Sequence, residues 1–311
     1  MNSFKIGKVT IRNKGVLAPM LEFTTLPFRL LCKKYGCGLT YTEMIHTFHI
    51  KKIDINEIES LSSCEKDNPT SVQLVGDFTN KQLTIDAAHI LDKHKHFNII
   101  ALNLGCPSKK IISGNSGSAL LKDISKITPV IKEIKETCKK PITTKVRLGY
   151  LKNEINYISK QLEKTGIDAI AIHARTANQN YGAPADVDSV RKIKEQLNMP
   201  VIYNGDVNQH NFQDLLDFDG LMVGRNALGN PLIFKQIKEN NIFEINYNQK
   251  LDALKEFLDL CNLHPIPFGK LKVSVLPFIS GFPQSSVLRN KISMSKTEVE
   301  LKEILNKLLE Q

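Results

Sequence analysis

The sequence predicts an α/β protein, a (β/α)8 TIM barrel followed by a small C-terminal helical domain. Three observations carry this. Eight apolar strand-like runs alternate with segments of helical periodicity, polar residues recur at the carboxyl ends of those runs, and the composition changes near residue 245. The predicted domains are 1–244, the barrel, and 245–311, the helical part.

The first run, Val16–Met20, ends in Ala18-Pro19-Met20 where a doubly wound nucleotide fold would carry a glycine fingerprint, and no phosphate-loop pattern occurs elsewhere. The second, Leu39–Met44, carries Glu43 near its end, and the third, Ser71–Val75, carries Gln73. The fourth, Ile99–Leu104, holds Asn103 and leads into Gly105-Cys106-Pro107. Lys145 and Arg147 close the fifth, Ile142–Leu148, and the sixth, Ala169–His173, is followed by Arg175. The last two, Val201–Asn204 and Gly220–Val223, run into Gly205-Asp206 and Gly224-Arg225. Between them, Lys81–His94, Asp123–Lys139, Glu154–Thr165 and Ser189–Leu197 repeat apolar residues every three or four positions, as crossover helices should. Eight such units fit a barrel of about 250 residues. After Asn240-Asn241 and the polar run 246–249, helical patterns return at Leu251–Leu260 and Leu301–Leu309, the latter with Thr297 and Glu300 spaced as a capping box.

At 311 residues, 41% hydrophobic and 24% charged, the composition is that of an ordinary globular protein. There is neither a secretory leader pattern nor an apolar run long enough to span a bilayer, so a cytoplasmic protein without a membrane is expected. Six cysteines stand without C-x-x-C pairs or nearby histidine spacing, which predicts free thiols and no metal. A net charge of +10, most of it on the barrel portion, suits a polyanionic partner, although surface lysine also serves solubility. No protein partner is evident.

In this fold, sites are built at the carboxyl ends of the strands, and eight polar ends in register point to one. Asn204-Gly205-Asp206 and Gly224-Arg225 supply close-approach glycines and a cation after strands seven and eight, where barrels bind phosphate. Lys145 is placed to hold negative charge on a cofactor ring, or to extend to solvent. Cys106 is either a reagent or an inert small residue, and the loop 114–118 behind it either closes over a substrate or is a flexible turn.

The blocks Ala18-Pro19-Met20, Pro27-Phe28-Arg29, Tyr41-Thr42-Glu43-Met44, Gln73-Leu74-Val75-Gly76, Asn103-Leu104-Gly105-Cys106-Pro107, Lys145-Val146-Arg147-Leu148-Gly149, His173-Ala174-Arg175-Thr176, Asn204-Gly205-Asp206 and Met222-Val223-Gly224-Arg225 together resemble the tRNA-dihydrouridine synthase family, in the family's order. The resemblance implies an FMN-bound barrel, with NAD(P)H as reductant, that reduces the C5–C6 bond of uridines in tRNA. It implies that Cys106 protonates C5. It assigns Pro19, Met20, Gln73, Lys145, His173, Asn204, Asp206, Gly224 and Arg225 to the flavin, and Asn103, Lys145 and Arg175 to the target uracil. The chemistry is coherent, because hydride enters the electrophilic C6 of the enone while an acid meets the carbanion at C5; a thiol, with an ordinary pKa near 8.5, is mostly protonated at neutral pH. Two departures stand out: Thr24-Thr25 where the family has Thr-Asp, and Val187 where it has Trp. The alternative is an FMN-dependent barrel reductase of a small pyrimidine or enone, which would need neither the basic surface nor the extra helices.

Overall fold

The computed structural model describes residues 3–52, 58, 61–282 and 284–310. Two short antiparallel strands come first, β1 (Phe4–Ile6) and β2 (Val9–Ile11), turning at Gly7 with φ +52°. The eight barrel strands follow: β3 (Gly15–Leu17), β4 (Thr40–His46), β5 (Thr70–Val75), β6 (Ile99–Leu104), β7 (Ile142–Arg147), β8 (Ala169–His173), β9 (Val201–Asn204) and β10 (Gly220–Val223). All are parallel, paired in the order β3-β10-β9-β8-β7-β6-β5-β4. The ring closes where Val16 bridges Leu39 and the Leu17 N–H donates to Leu39 O at 2.9 Å. The predicted barrel is therefore present, and the β1–β2 hairpin is an addition to it.

The helices are α1 (Leu26–Lys34), α2 (Thr47–Lys52), α3 (Lys81–Lys93), α4 (Lys109–Ser113), α5 (Thr128–Thr137), α6 (Ile155–Glu163), α7 (Val187–Lys194), α8 (Ile233–Glu239), α9 (Tyr247–Leu263), α10 (Phe268–Val275), α11 (Ser285–Met294) and α12 (Glu298–Leu309). Each crossover helix turns an apolar stripe toward the strands, as Ile155, Ile158 and Leu162 do on α6. The polar run 246–249 proves to be a capping box for α9: the Gln249 N–H donates to Asn246 Oδ1 and the Asn246 N–H to Gln249 Oε1, both at 3.0 Å. At α12 the expected box is only half formed. Thr297 accepts from the Glu300 N–H, but the Glu300 carboxylate reaches back to the Lys296 N–H, one residue too far.

A strand directs successive side chains to opposite faces, and in a barrel one face lines the interior. Ile99 and Ala101, Ala169 and Ala171, Leu39 and Tyr41, Ile202 and Met222 fill that interior, and Ile6 and Ile11 of the hairpin seal its floor. Continuing the same parity one step toward the mouth gives Gln73, Asn103, Lys145, His173 and Asn204. Register sets them side by side: Asn103 faces Lys145, and His173 faces Asn204. A largely aliphatic layer below thus becomes a ring of amides, an imidazole and a lysine above.

Candidate active site

A cavity of about 320 Å³ opens at this ring, lined by Pro19, Met20, Lys145, His173, Arg175, Asn204, Asp206, Gly224 and Arg225 among others. Most of the residues singled out from sequence therefore converge on one space. Gln73, Asn103 and Cys106 stand beside it rather than in its wall. The Asn103 amide holds the turn that presents Cys106: its Oδ1 accepts from the Gly105 N–H at 3.0 Å and the Cys106 N–H at 2.9 Å, while its Nδ2 donates to Gln73 Oε1 at 2.8 Å. Gln73 is left with a buried Nε2 that has no hydrogen-bond partner among the described residues, a donor facing unmet demand.

The cavity's electrostatics follow from burial. Lys145 has its pKa lowered to about 7, first because burial disfavours the ammonium and then because Arg147 lies close. His173 is pushed down to about 2 by burial, then by Lys145, Arg147, Arg175 and Arg225, so its ring is neutral and its Nε2 accepts from Arg175 Nη1 at 3.3 Å. Arg175 also pairs with Asp206, whose backbone takes the left-handed φ of +53°. Asn204 is fixed by donating to Met222 O at 2.8 Å. A cavity walled by Lys145, Arg175 and Arg225, with Asp206 as the acid of its lining, suits an anion.

Two further residues belong here. Tyr181, 53% exposed, lies 4.4 Å under the Arg225 guanidinium and 5.3 Å from that of Arg147, and lines the cavity. Arg147 itself donates to Gly105 O at 2.9 Å and to Thr176 O and Asn180 O at 2.9 and 2.8 Å, tying the Cys106 turn to the long loop that carries Tyr181. Arg147 is visible in sequence as a strand end. An aromatic in the connection after His173 and Arg175 is the signal that could have found Tyr181.

The loop behind Cys106 is pinned. The Ser118 N–H donates to Cys106 O at 3.0 Å, and Asn115 Nδ2 donates to Asp77 Oδ1 at 3.0 Å. Gly117 has φ +59°, and a Cβ there would stand 2.8 Å from Cys106 O, so the loop is a seat for the cysteine. On the opposite rim, Thr24 Oγ1 donates to Met20 O at 3.0 Å, and Thr24 O accepts from Nη1 of Arg29, which is fully buried with Asp67. Thr25 occupies the cap of α1 without making the side-chain bond, its buried hydroxyl unpartnered among the described residues. Val187 packs on the core at the start of α7. Glu43, a strand-end candidate, reaches away to Lys270 of α10 instead of lining the cavity.

Among the described residues, no three His, Cys, Asp or Glu gather as metal ligands, and no helix is long and apolar enough to cross a membrane.

Fold and site together define a class, the parallel (β/α)8 barrels with a cation-rich cavity at the carboxyl ends of their strands. The solved structure of the old yellow enzyme homologue from Zymomonas mobilis shares this architecture, with a TM-score of 0.55 at 10% identity over 80% of this chain and 95% of the other. A family profile for dihydrouridine synthase (Dus) matches residues 16–311. A probable tRNA-dihydrouridine synthase of Rickettsia conorii is 32% identical over 96% of this chain and 94% of its own, and one from Aquifex aeolicus is 30% identical over 96% and 95%. The tRNA-dihydrouridine synthase B of Pasteurella multocida is 31% identical over 82% and 79%. The chain belongs to the dihydrouridine synthase family.

Proposed function

We propose that the protein is a tRNA-dihydrouridine synthase that uses FMN and NAD(P)H to saturate the C5–C6 bond of selected uridines in tRNA, with residues 1–244 as catalytic barrel and 245–311 as the tRNA-binding part. The observation that carries this reading is the ring above the barrel interior, where a cation-lined cavity adjoins a cysteine held by the Asn103 amide.

The residues present fit FMN. Arg225, Asn204 and Gly224 would hold its phosphate end, where a Cβ added at Gly224 would meet nothing closer than 3.8 Å, so the backbone lies open to approach. Gln73, with its unpartnered Nε2, would donate to a ring carbonyl, and Lys145 would sit against the electron-rich pyrimidine edge. When bound and reduced, the flavin supplies the hydride destined for uracil C6. Cys106 gives its thiol proton to C5, and its turn is fixed by Asn103, Gly117 and Arg147 so that the sulfur meets the base without reorganising. Arg175 and Asn103 flank the base, joined by Arg147 and Tyr181. The uridine must leave its stack to enter, which costs a few kcal/mol and is easiest from a loop. A tRNA substrate suits a cytoplasmic site of action.

The test is dihydrouridine formed in unmodified tRNA by the purified, FMN-loaded protein with NADPH, read by nucleoside mass spectrometry. Product from the wild type supports the reading. None, despite bound and reducible flavin, points to the small-molecule reductase. With +10 of net charge, tRNA affinity is expected to fall steeply with added salt.

A further inference from the structure

Strand β4 carries one residue more than its neighbour at the mouth. Tyr41 pairs with Ser71 and Met44 with Gln73, so Thr42 and Glu43 together stand opposite a single residue of β5. Such a bulge re-aims a side chain and is common beside active sites. Thr42 satisfies the disturbed ladder, its hydroxyl accepting from the Gln73 N–H at 3.3 Å and donating to Glu43 O at 2.8 Å. The carboxylate that the bulge redirects is 1% exposed, and its two oxygens lie 3.0 and 3.2 Å from Lys270 Nζ on α10.

A carboxylate so deeply buried is costly without a cation, and here the cation arrives from the C-terminal helices. The same segment touches the mouth twice more. Ser274 Oγ donates to Glu22 O at 3.4 Å, and Gly229, at φ +68°, meets the Pro277 backbone so closely that a Cβ would lie 2.4 Å away. These three contacts fall on the loop after β3, the bulge within β4 and the loop after β10, the rim that also carries Met20, Gly224 and Arg225. Attachment as such is provided elsewhere, by Phe257 of α9 edge-on to Phe28 of α1 at 6.2 Å. Apolar packing holds surfaces together with little angular preference; a buried, directional ion pair specifies one arrangement.

We propose that the Glu43–Lys270 pair is a positioning element that fixes the angle of the C-terminal helices over the barrel mouth, and thereby which nucleotide of a bound tRNA reaches the cavity. This rests on the functional reading above. Neither side chain lines the cavity.

The experiment compares wild type, Glu43→Gln, Lys270→Met and the double variant as full-length, FMN-loaded proteins. Its readouts are flavin absorbance, kcat and KM on tRNA, the position of the dihydrouridine formed, and hydrogen exchange of residues 268–275. Lys270→Met, which takes that cation from the carboxylate, should raise KM on the order of tenfold, speed exchange in α10 and blur the modified position, with kcat and flavin absorbance kept. Removing the charge as well should restore part of the loss, making the double variant milder than Lys270→Met alone. Wild-type KM and exchange in Lys270→Met, or additive losses in the double variant, overturn the proposal; Glu43→Gln, which leaves no buried carboxylate, supplies the comparison if Lys270→Met folds poorly. A wild type that forms no dihydrouridine overturns the functional reading and the tRNA half of this one, whereas an active wild type with unresponsive variants overturns this one alone.

Discussion

The two ends of the barrel are built from the same strands and do opposite work. At the floor, Ile6 and Ile11 cap an interior of buried aliphatic side chains together with Tyr41 and Met222. At the mouth, one layer up on the same inward face, Lys145 and Arg175 stand as cations beside a neutral His173 in a partly closed space, and Gln73 keeps a buried donor that is unmet among the described residues. The floor is arranged for the folded chain alone, while the mouth is arranged for a visitor: Asp206 offsets part of the crowding at Arg175, and an anion in the cavity would offset more.

That division predicts that mutations at the two ends separate function from stability. The largest effect belongs to the mouth: Cys106→Ala should cut dihydrouridine formation by about 10²–10⁴-fold while leaving flavin absorbance and thermal midpoint unchanged, and a variant that loses its flavin would break the assignment of the thiol to proton transfer. Next comes the floor. Ile11→Ala, opening a hole beneath a sealed interior, should destabilise by about 2–5 kcal/mol in chemical denaturation, with flavin affinity untouched once the protein is folded.

The third effect is of pH. In the flavin-free protein Lys145 has a pKa of about 7, so above that it is neutral; a cofactor that needs the ammonium must then bring a proton with it. Flavin affinity should be level below about pH 7 and fall about tenfold for each unit above it, until the pKa of the bound state is passed. Lys145→Met should abolish that slope, and titration by flavin fluorescence at several pH values measures it. The smallest effect sharpens what counts as an unmet polar group: Thr25→Val removes a buried hydroxyl that makes no bond among the described residues, and should change stability by less than about 0.5 kcal/mol, in either direction.

Much of this was legible in the sequence, for a physical reason. Strands buried on both faces are written as continuous apolar runs, and four of them, Ile99–Leu104, Ala169–His173, Val201–Asn204 and Gly220–Val223, occupy the expected residues without adjustment. The site was legible because period-two alternation carries polar residues onto the inward face at the strand ends. The floor hairpin was not, since two strands of three residues give too short a pattern to separate from a loop. Helices α10 and α11 were likewise hidden, lying among Pro265, Pro267, Pro277 and Gly281, which read as turns. Tyr181 and Lys270 depend on where a loop and a distant helix return in space, and nothing local to their own residues records that. The pinned seat of Cys106 is intermediate: Gly117 is visible, but its approach to Cys106 O is a property of the fold.

The sealed floor has a last consequence, one of traffic. A barrel stoppered by its own N-terminal hairpin makes the mouth a shared corridor, so on the proposed reading the electron donor and the tRNA reach the flavin by the same approach and must take turns. On that reading the cofactor would be a store filled by one visitor and emptied by the next, the first departing before a folded-out base enters.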